Sequence, residues 1–420
     1  KKICPESRQG REPVNDSRIY LIPRSLLRLG SSFANSMTNA TINISLAPGD
    51  YGSFPNNLQS REYWTTYKGQ DSSISSFRDN HKYMRLIFDG IHFNGSVRAH
   101  RGPGNATFTI MNVSNIIVKN SELFFPENIH LPEMNDTTAV LISFSSNITL
   151  TNVTVRNART NIYFGSSSNI ILEKSDVGYS WGDNLRIISS DNVVIDGNNI
   201  HDAKDRYGTG EHIDGITINA DLPECNFPQP KNIIVKNNKL INNTGQNIFV
   251  WSNYIYCIGY IQNISITNNT IGNTTTIDNP NAQGYGNPLF MPVQFGSVKN
   301  FIFNQNTVYG TVAVRLESEG QLMNNLISGY LTYENTTNII YEDYNLVKGF
   351  YAQPNTNRSV LGNFSLQSEV QFANVAAHDY RPVSPLSVCT MSSISGHVGA
   401  LPCVGQQGNC EIKKAYWKIA

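Results

Sequence analysis

Along most of the chain one short phrase returns: an asparagine, two or three apolar or β-branched residues, a polar Asn-rich turn, and a further apolar residue. It reads NIIVKNSEL from Asn115, NITLTNVTV from Asn147, NIILEKSDV from Asn169 and NVVIDGNNI from Asn192. It continues as NIIVKNNKL from Asn232, NISITNNTI from Asn263, NFIFNQNTV from Asn300 and NIIYEDYNL from Asn338, with a trimmed copy, QLMNNLI, from Gln321. The shortest separations are 22 and 23 residues, from Asn147 to Asn169 and on to Asn192. Alternation of this kind predicts short strands. A unit of that length carrying two or three strands is the coil of a right-handed parallel β-helix. Each coil buries its apolar side chains only when another stacks on it at ~4.8 Å. Asparagines repeated at one turn position can then form a hydrogen-bonded ladder along the stack. No LxxLxL or Trp-Asp period supports a leucine-rich horseshoe or a propeller.

The predicted fold is therefore all-β, a single right-handed parallel β-helix (solenoid). Its ends expose strand edges and core and need covers. Ser17–Met37 reads as an amphipathic N-terminal capping helix, Ala40–Tyr51 as the first strand, and residues 52–84 as irregular, with regular coils opening at Arg85. The chain divides into a cap and first strands (1–84), β-helix coils (85–347) and a C-terminal cap (348–420) tied by Cys389, Cys403 and Cys410.

Stacking the second strand of each coil aligns TNIYFG (160–165), DNLRII (183–188), DGITIN (214–219), QNIFVW (246–251) and MPVQFG (291–296). Ile162, Leu185, Ile216 and Ile248 then point inward, and Tyr163, Arg186, Thr217 and Phe249 share an outward row. The same register puts Cys225 and Cys257 at equivalent positions on adjacent coils, each eleven residues past its strand start, and predicts a Cys225–Cys257 disulfide. It also stacks Asp183 on Asp214, about 5 Å apart. Two such carboxylates repel unless a cation, a shared proton or a basic neighbour compensates.

The longest interval between repeats, forty residues from Asn192 to Asn232, holds the loop HDAKDRYGTGEHIDG from His201. His201, Asp202, Lys204, Asp205, Arg206, Tyr207, Glu211 and His212 crowd there, in a chain with only 15% charged residues. Trp181 precedes Asp183 and Trp251 ends the next strand but one. Aromatic platforms beside acid/base groups suit a sugar ring. Candidate catalytic residues are Asp183, Asp214, His212, Lys204 and Arg186; candidate substrate-binding residues are Trp181, His201, Arg206, Tyr207 and Trp251. Asp183, Asp214 and Glu211 could together hold calcium, the one cofactor the carboxylates suggest. The bland reading stands beside this one: Asp opens strands as an ordinary turn residue, and a charged loop is usually a solvated insertion.

Composition narrows the setting. The 420 residues carry 32 basic and 32 acidic side chains, for zero net charge, which argues against a nucleic-acid partner. Mean hydropathy is −0.30 and no apolar run reaches the ~18–20 residues that span a bilayer, so no membrane insertion is expected. Asparagine accounts for 52 residues and disfavours helices. Sixteen sequons, at Asn15, Asn39, Asn43, Asn94, Asn105, Asn112, Asn135, Asn147, Asn152, Asn242, Asn263, Asn268, Asn273, Asn335, Asn357 and Asn363, are candidate N-glycosylation sites. With six cysteines and a KKICPES start that fits signal-peptide removal, they predict an extracellular protein, secreted or on a cell or virion surface.

The repeat phrase, the ISLAPGDY opening, LIFDGIHFNG, and the DYRPVSP…GHVGALP ending resemble the pectin-lyase-like superfamily over roughly residues 40–400. GDNLRI (182–187) and HIDGIT (212–217) look like acidic motifs at strand starts in its enzymes. The resemblance implies extracellular polysaccharide lyases, hydrolases or uronate epimerases, or non-catalytic tailspikes and adhesins. The GHG and RIK motifs of polygalacturonases and the vWiDH and RxPxxR motifs of pectate lyases are absent, so a standard pectinase is a poor fit. In a hydrolase Asp183 and Asp214 would be the acid/base pair; in a lyase or epimerase the acids would hold calcium while Lys204, Arg206, Arg186 or a histidine takes a proton. The rival class is a glycosylated structural or adhesive rod, with a homo-oligomer or fibre as its assembly. Sequons are missing between Asn152 and Asn242, a window that contains the candidate site.

Overall fold

A computed structural model describes residues 18–22, 42–53, 64–75, 77–79, 84–95, 105–125, 137–204, 213–220, 228–252, 259–272, 291–334, 338–352, 365–384 and 399–401. Its strands pair in parallel, each with the equivalent strand one coil earlier and one coil later. Three faces result. The first carries Thr137–Ser143, Thr160–Gly165, Leu185–Ile188, Ile216–Ala220, Ile248–Ser252, Val293–Gly296 and Val312–Arg315. The second carries Ser114–Lys119, Ser146–Thr151, Ser168–Glu173, Asp191–Asp196, Lys231–Lys236, Ile261–Thr267 and Phe301–Asn304. The third is built of short strands such as Thr154–Arg156, Asp176–Gly178, Asn199–His201 and Lys239–Ile241.

Alternation decides what each strand buries. Ile116, Ile148, Ile170, Val193, Ile233 and Ile264 form one inward row with essentially no exposure, and Ile162, Leu185, Ile216 and Ile248 form another, as the register predicts. The asparagine that opens the phrase stands in the left-handed region in seven coils, from Asn115 to Asn300, with φ of 56° at Asn147, 54° at Asn169 and 55° at Asn192. Asparagine tolerates that conformation better than other side chains with a Cβ. It also links coils: Nδ2 of Asn169 donates to Oδ1 of Asn147 at 3.1 Å, and Asn192 donates to Asn169 at 3.3 Å. A second ladder lies inside. The buried Asn198, Asn238, Asn269, Asn306, Asn325 and Asn345 each present Oδ1 to the backbone N–H and Nδ2 of the coil before, or cap the series.

Three expectations change. Arg18–Ile22, within the segment read as a capping helix, is a strand paired in parallel with Ile42–Leu46. RIYLI is a short run of β-branched, aromatic and aliphatic residues, and an available sheet edge decides in favour of the strand; among the described residues the helical structure is one 3-10 turn, Val375–Ala377. Residues 52–84, read as irregular, contain the strand Thr65–Ile74, so parallel pairing starts before Arg85 and continues past Val347 to Leu366–Gln367. The described C-terminal segment lies along the side of the stack. There Gln371–Asn374 and Asp379–Ser384 pair antiparallel, and Tyr380 is fully buried in the space that Gly272 leaves by having no side chain. Ala400 N–H donates to Thr307 Oγ1 at 2.9 Å and Gly399 N–H to the Asn324 carbonyl at 2.9 Å. Cys4, Cys225, Cys257, Cys389, Cys403 and Cys410, and with them the expected disulfides, lie outside the described residues.

Candidate functional site

The turn from the third face into the first repeats in three consecutive coils. The Asn184 N–H donates to the Asp214 carbonyl at 2.9 Å, and Leu185 pairs with Ile216, which stacks Asp183 directly on Asp214. Both carboxylates are buried, at 8% and 1% exposure. Their oxygens serve the neighbouring coil: Asp183 Oδ1 accepts from the Asp214 N–H at 3.0 Å, and Asp214 Oδ1 accepts from the Gln246 N–H at 2.7 Å. Asp214 Oδ2 accepts from Thr217 Oγ1 at 3.0 Å. The approach depends on Gly245, because a Cβ there would stand 2.3 Å from the Ile213 carbonyl and 2.8 Å from Asp214 Oδ1. Beside the acids, Asn161 and Asn184 continue a buried ladder, and where Gly215 interrupts it, Asn243 of the next coil fills the gap at 3.1 Å from Asn184.

Arg186 follows on the first face, outward, between Tyr163 and Thr217 of the adjoining coils. Its Nε is buried without a hydrogen-bond partner. Thr217 pairs onward with Phe249, whose ring stacks on Trp251 at 5.6 Å and 12°. The indole lies over Gly296, where a Cβ would be 2.2 Å away. The outward row expected from the sequence is therefore one row in the fold. Trp181 is not part of it: its indole packs in the hydrophobic core at 7% exposure. That corrects its reading as a sugar platform.

His201 also stands elsewhere, on the third face. Its Nδ1 donates to Asp202 Oδ2 at 2.8 Å and its Nε2 to Asp176 Oδ1 at 3.2 Å. The ring covers Gly178 one coil away, with the Tyr179 ring edge-on at 5.1 Å. Lys204 Nζ pairs with Asp202 Oδ1 at 3.0 Å, and Asn242 also donates to that oxygen. Burial pulls the imidazolium pKa down, but the hydrogen bonds and charges of Asp176 and Asp202 outweigh it and raise it to about 9. Burial pushes Asp202 up, and His201 and Lys204 outweigh it, holding the carboxyl at about 2. The His201 hydrogen bond likewise keeps Asp176 low. A histidine protonated at neutral pH and donating from both nitrogens is a fastener and cannot accept a proton. Asp176 and Tyr179 escaped the sequence reading, although the spacing that pairs Asp176 with Asn199 and Gly178 with His201 was available in it.

Arg206, Tyr207, Glu211 and His212 lie outside the described residues. Both oxygens of Asp214 and one of Asp183 accept hydrogen bonds, and Glu211, the third member of the expected calcium set, lies outside the described residues. Among the described residues no cluster of three or more His, Cys, Asp or Glu could hold a metal ion, and no helix is long and apolar enough to cross a membrane.

Residues 76–271 match the family model described as the right handed beta helix region. No curated protein matches the chain. Similar solved structures include the pectate lyase Pel9A, at TM-score 0.45 and 13% identity over 93% of this chain and 96% of that one. The surface adhesin PfbA of Streptococcus pneumoniae gives TM-score 0.47 and 12% identity over 83% and 87%. The PL6 family alginate lyase AlyGC gives 0.46 and 14% over 87% of this chain and 55% of that one. With a right-handed β-helix matched across its centre and parallel coils stacked on both sides of that region, the chain folds as a right-handed parallel β-helix.

Proposed function

We propose that the protein is a secreted, N-glycosylated β-helix that binds an acidic polysaccharide along its first face. Arg186 is the group that meets a sugar carboxylate, and Tyr163, Phe249 and Trp251 are the surfaces on which rings stack. The observation that carries this reading is the Arg186 guanidinium, partly buried with Nε unbonded and the aromatic Tyr163 beside it on the preceding coil. An unpaired buried N–H is costly, and a ligand carboxylate is the partner whose fork-on-fork geometry a guanidinium matches. Processing of the bound chain, by elimination or epimerisation at a uronate or by hydrolysis, would draw on Asp183, Asp214, Lys204 and His212.

A second reading has its own support. Asp214 is 1% exposed with both oxygens engaged, the arrangement of an acid that ties coils together in a non-catalytic adhesive rod. One experiment separates the two. The protein and Arg186→Met are titrated with uronate and neutral oligosaccharides, then incubated with the polymers while unsaturated products and reducing ends are followed. Uronate binding that falls about tenfold or more in Arg186→Met, at unchanged Tm, supports the proposal. Unsaturated ends mark a lyase and reducing ends a hydrolase, whereas binding without products leaves a glycan-binding rod. Equal binding by Arg186→Met overturns the assignment of Arg186.

A further inference from the structure

The second face carries an outward apolar stripe. Register places Ile87, Ile117, Thr149, Ile171, Val194, Ile234, Ser265 and Ile302 in one file across eight coils. Ile171 and Ile234 are each 38% exposed and Ile302 is 36%. β-Branched side chains aligned on a flat sheet and open to water are the composition of a contact surface. Two residues along each strand runs a parallel file: Asp89, Lys119, Thr151, Glu173, Asp196 and Lys236. Its charges pair along the axis, Lys119 with Asp89 at 3.3 Å and Lys236 with Asp196 at 3.2 Å, while Thr151 donates to Glu173 at 3.0 Å.

We infer that this face binds a second copy of the chain, antiparallel, about a twofold axis between the coils of Thr149 and Ile171. That operation sets Asp89 against Lys236 of the other copy, Lys119 against Asp196, and Thr151 against Glu173. Each axial ion pair meets its opposite in a four-charge checkerboard. In the adjacent file Ile87 meets Ile234, Ile117 meets Val194 and Thr149 meets Ile171. Sliding by one coil destroys the match: one direction brings Asp89 onto Asp196, the other Lys119 onto Lys236. Like charges directly opposed disfavour both, so the charges select a single register. Such an interface is isologous and closes at two copies. Six coils at ~4.8 Å by roughly six residues at ~3.3 Å give about 1,200 Å² from both copies together, the low end of specific interfaces. The dimer is therefore weak and reversible, and it requires Asn147 and Asn152, exposed beside Thr149 and Thr151, to carry no glycan.

Sedimentation of the full chain over a concentration series tests this. The expected result is a monomer–dimer equilibrium abolished by Ile171→Lys. Exchanging one pair, Asp89→Lys with Lys119→Asp, keeps an ion pair within the chain but reverses it, and should weaken the dimer at least about tenfold. Adding Asp196→Lys with Lys236→Asp should restore it. A chain that stays monomeric at all concentrations, a dimer indifferent to the first exchange, or one not restored by the second overturns the inference. Thermal unfolding of each variant separates loss of contact from loss of fold.

Discussion

His201 is the most constrained titratable side chain described. Its ring lies against Gly178, where a Cβ would stand 2.6 Å from Cε1, and both nitrogens are held by carboxylates. Raised from 6.5 to about 9, His201 contributes stability that is complete below about pH 6.5 and is lost as pH rises through about 9. Asp202, lowered from 3.8 to about 2, contributes stability that is complete above about pH 3.8 and is lost as pH falls through about 2. Between those limits the cluster is intact. Urea unfolding should show wild type losing stability between neutral pH and pH 10, and His201→Gln, less stable by about 1–3 kcal/mol at pH 7, losing much less over the same interval. Equal losses in both proteins would detach the alkaline decline from His201. Gly178→Ala should mimic the substitution in part, since the imidazole must leave its seat, at a cost of about 1–3 kcal/mol.

Among elements, the two asparagine ladders use one residue type for unequal ends. Asn238 is buried; its Oδ1 accepts from Asn198 N–H and Nδ2, and its Nδ2 donates to the Ile195 carbonyl and Asn269. Asn238→Ala strands several of these groups without water and should cost about 2–4 kcal/mol in chemical denaturation. Asn263, exposed in the outer ladder, donates to Asn232 at 2.8 Å and accepts from Asn300 at 2.7 Å where water can replace either partner, and its alanine variant should lose no more than about 1 kcal/mol. Similar losses at the two positions would contradict the division. These ladders also explain why the coils were legible before any coordinates: left-handed turns demand asparagine at fixed intervals, and the intervals are the repeat. The sequons share that origin in part, since Asn147, Asn152, Asn263 and Asn268 all donate to the equivalent asparagine one coil away. What resisted reading was local. RIYLI is too short a run for its β-branched and aromatic residues to outweigh the apolar spacing of the residues that follow, and three-residue strands such as Asp176–Gly178 have no period at all. The burial of Trp181, in a turn ahead of its strand, follows from no period, whereas Asp183 is placed by the register that pairs Leu185 with Ile216.

At the scale of the molecule, each coil touches only the coils before and after it, so stability accumulates along one dimension. The C-terminal segment breaks that rule. Tyr380 sits against Gly272, and its ring centroid lies 5.9 Å from that of Tyr309, while Ala400 and Gly399 bond Thr307 and Asn324. Tyr380→Ala empties a fully buried site and should cost about 3–5 kcal/mol, most of it local to the segment. Limited proteolysis should then release a C-terminal fragment while the coils stay resistant; cleavage that spreads into the coils at the same rate would show that the segment holds up the stack itself. Gly272, Thr307 and Asn324 belong to three successive layers. Tension applied at the C-terminus therefore enters the molecule as shear shared among three layers, whereas a plain stack would meet it as peeling of the last layer alone. A rod anchored by that end would resist force at the point where such a rod is otherwise weakest.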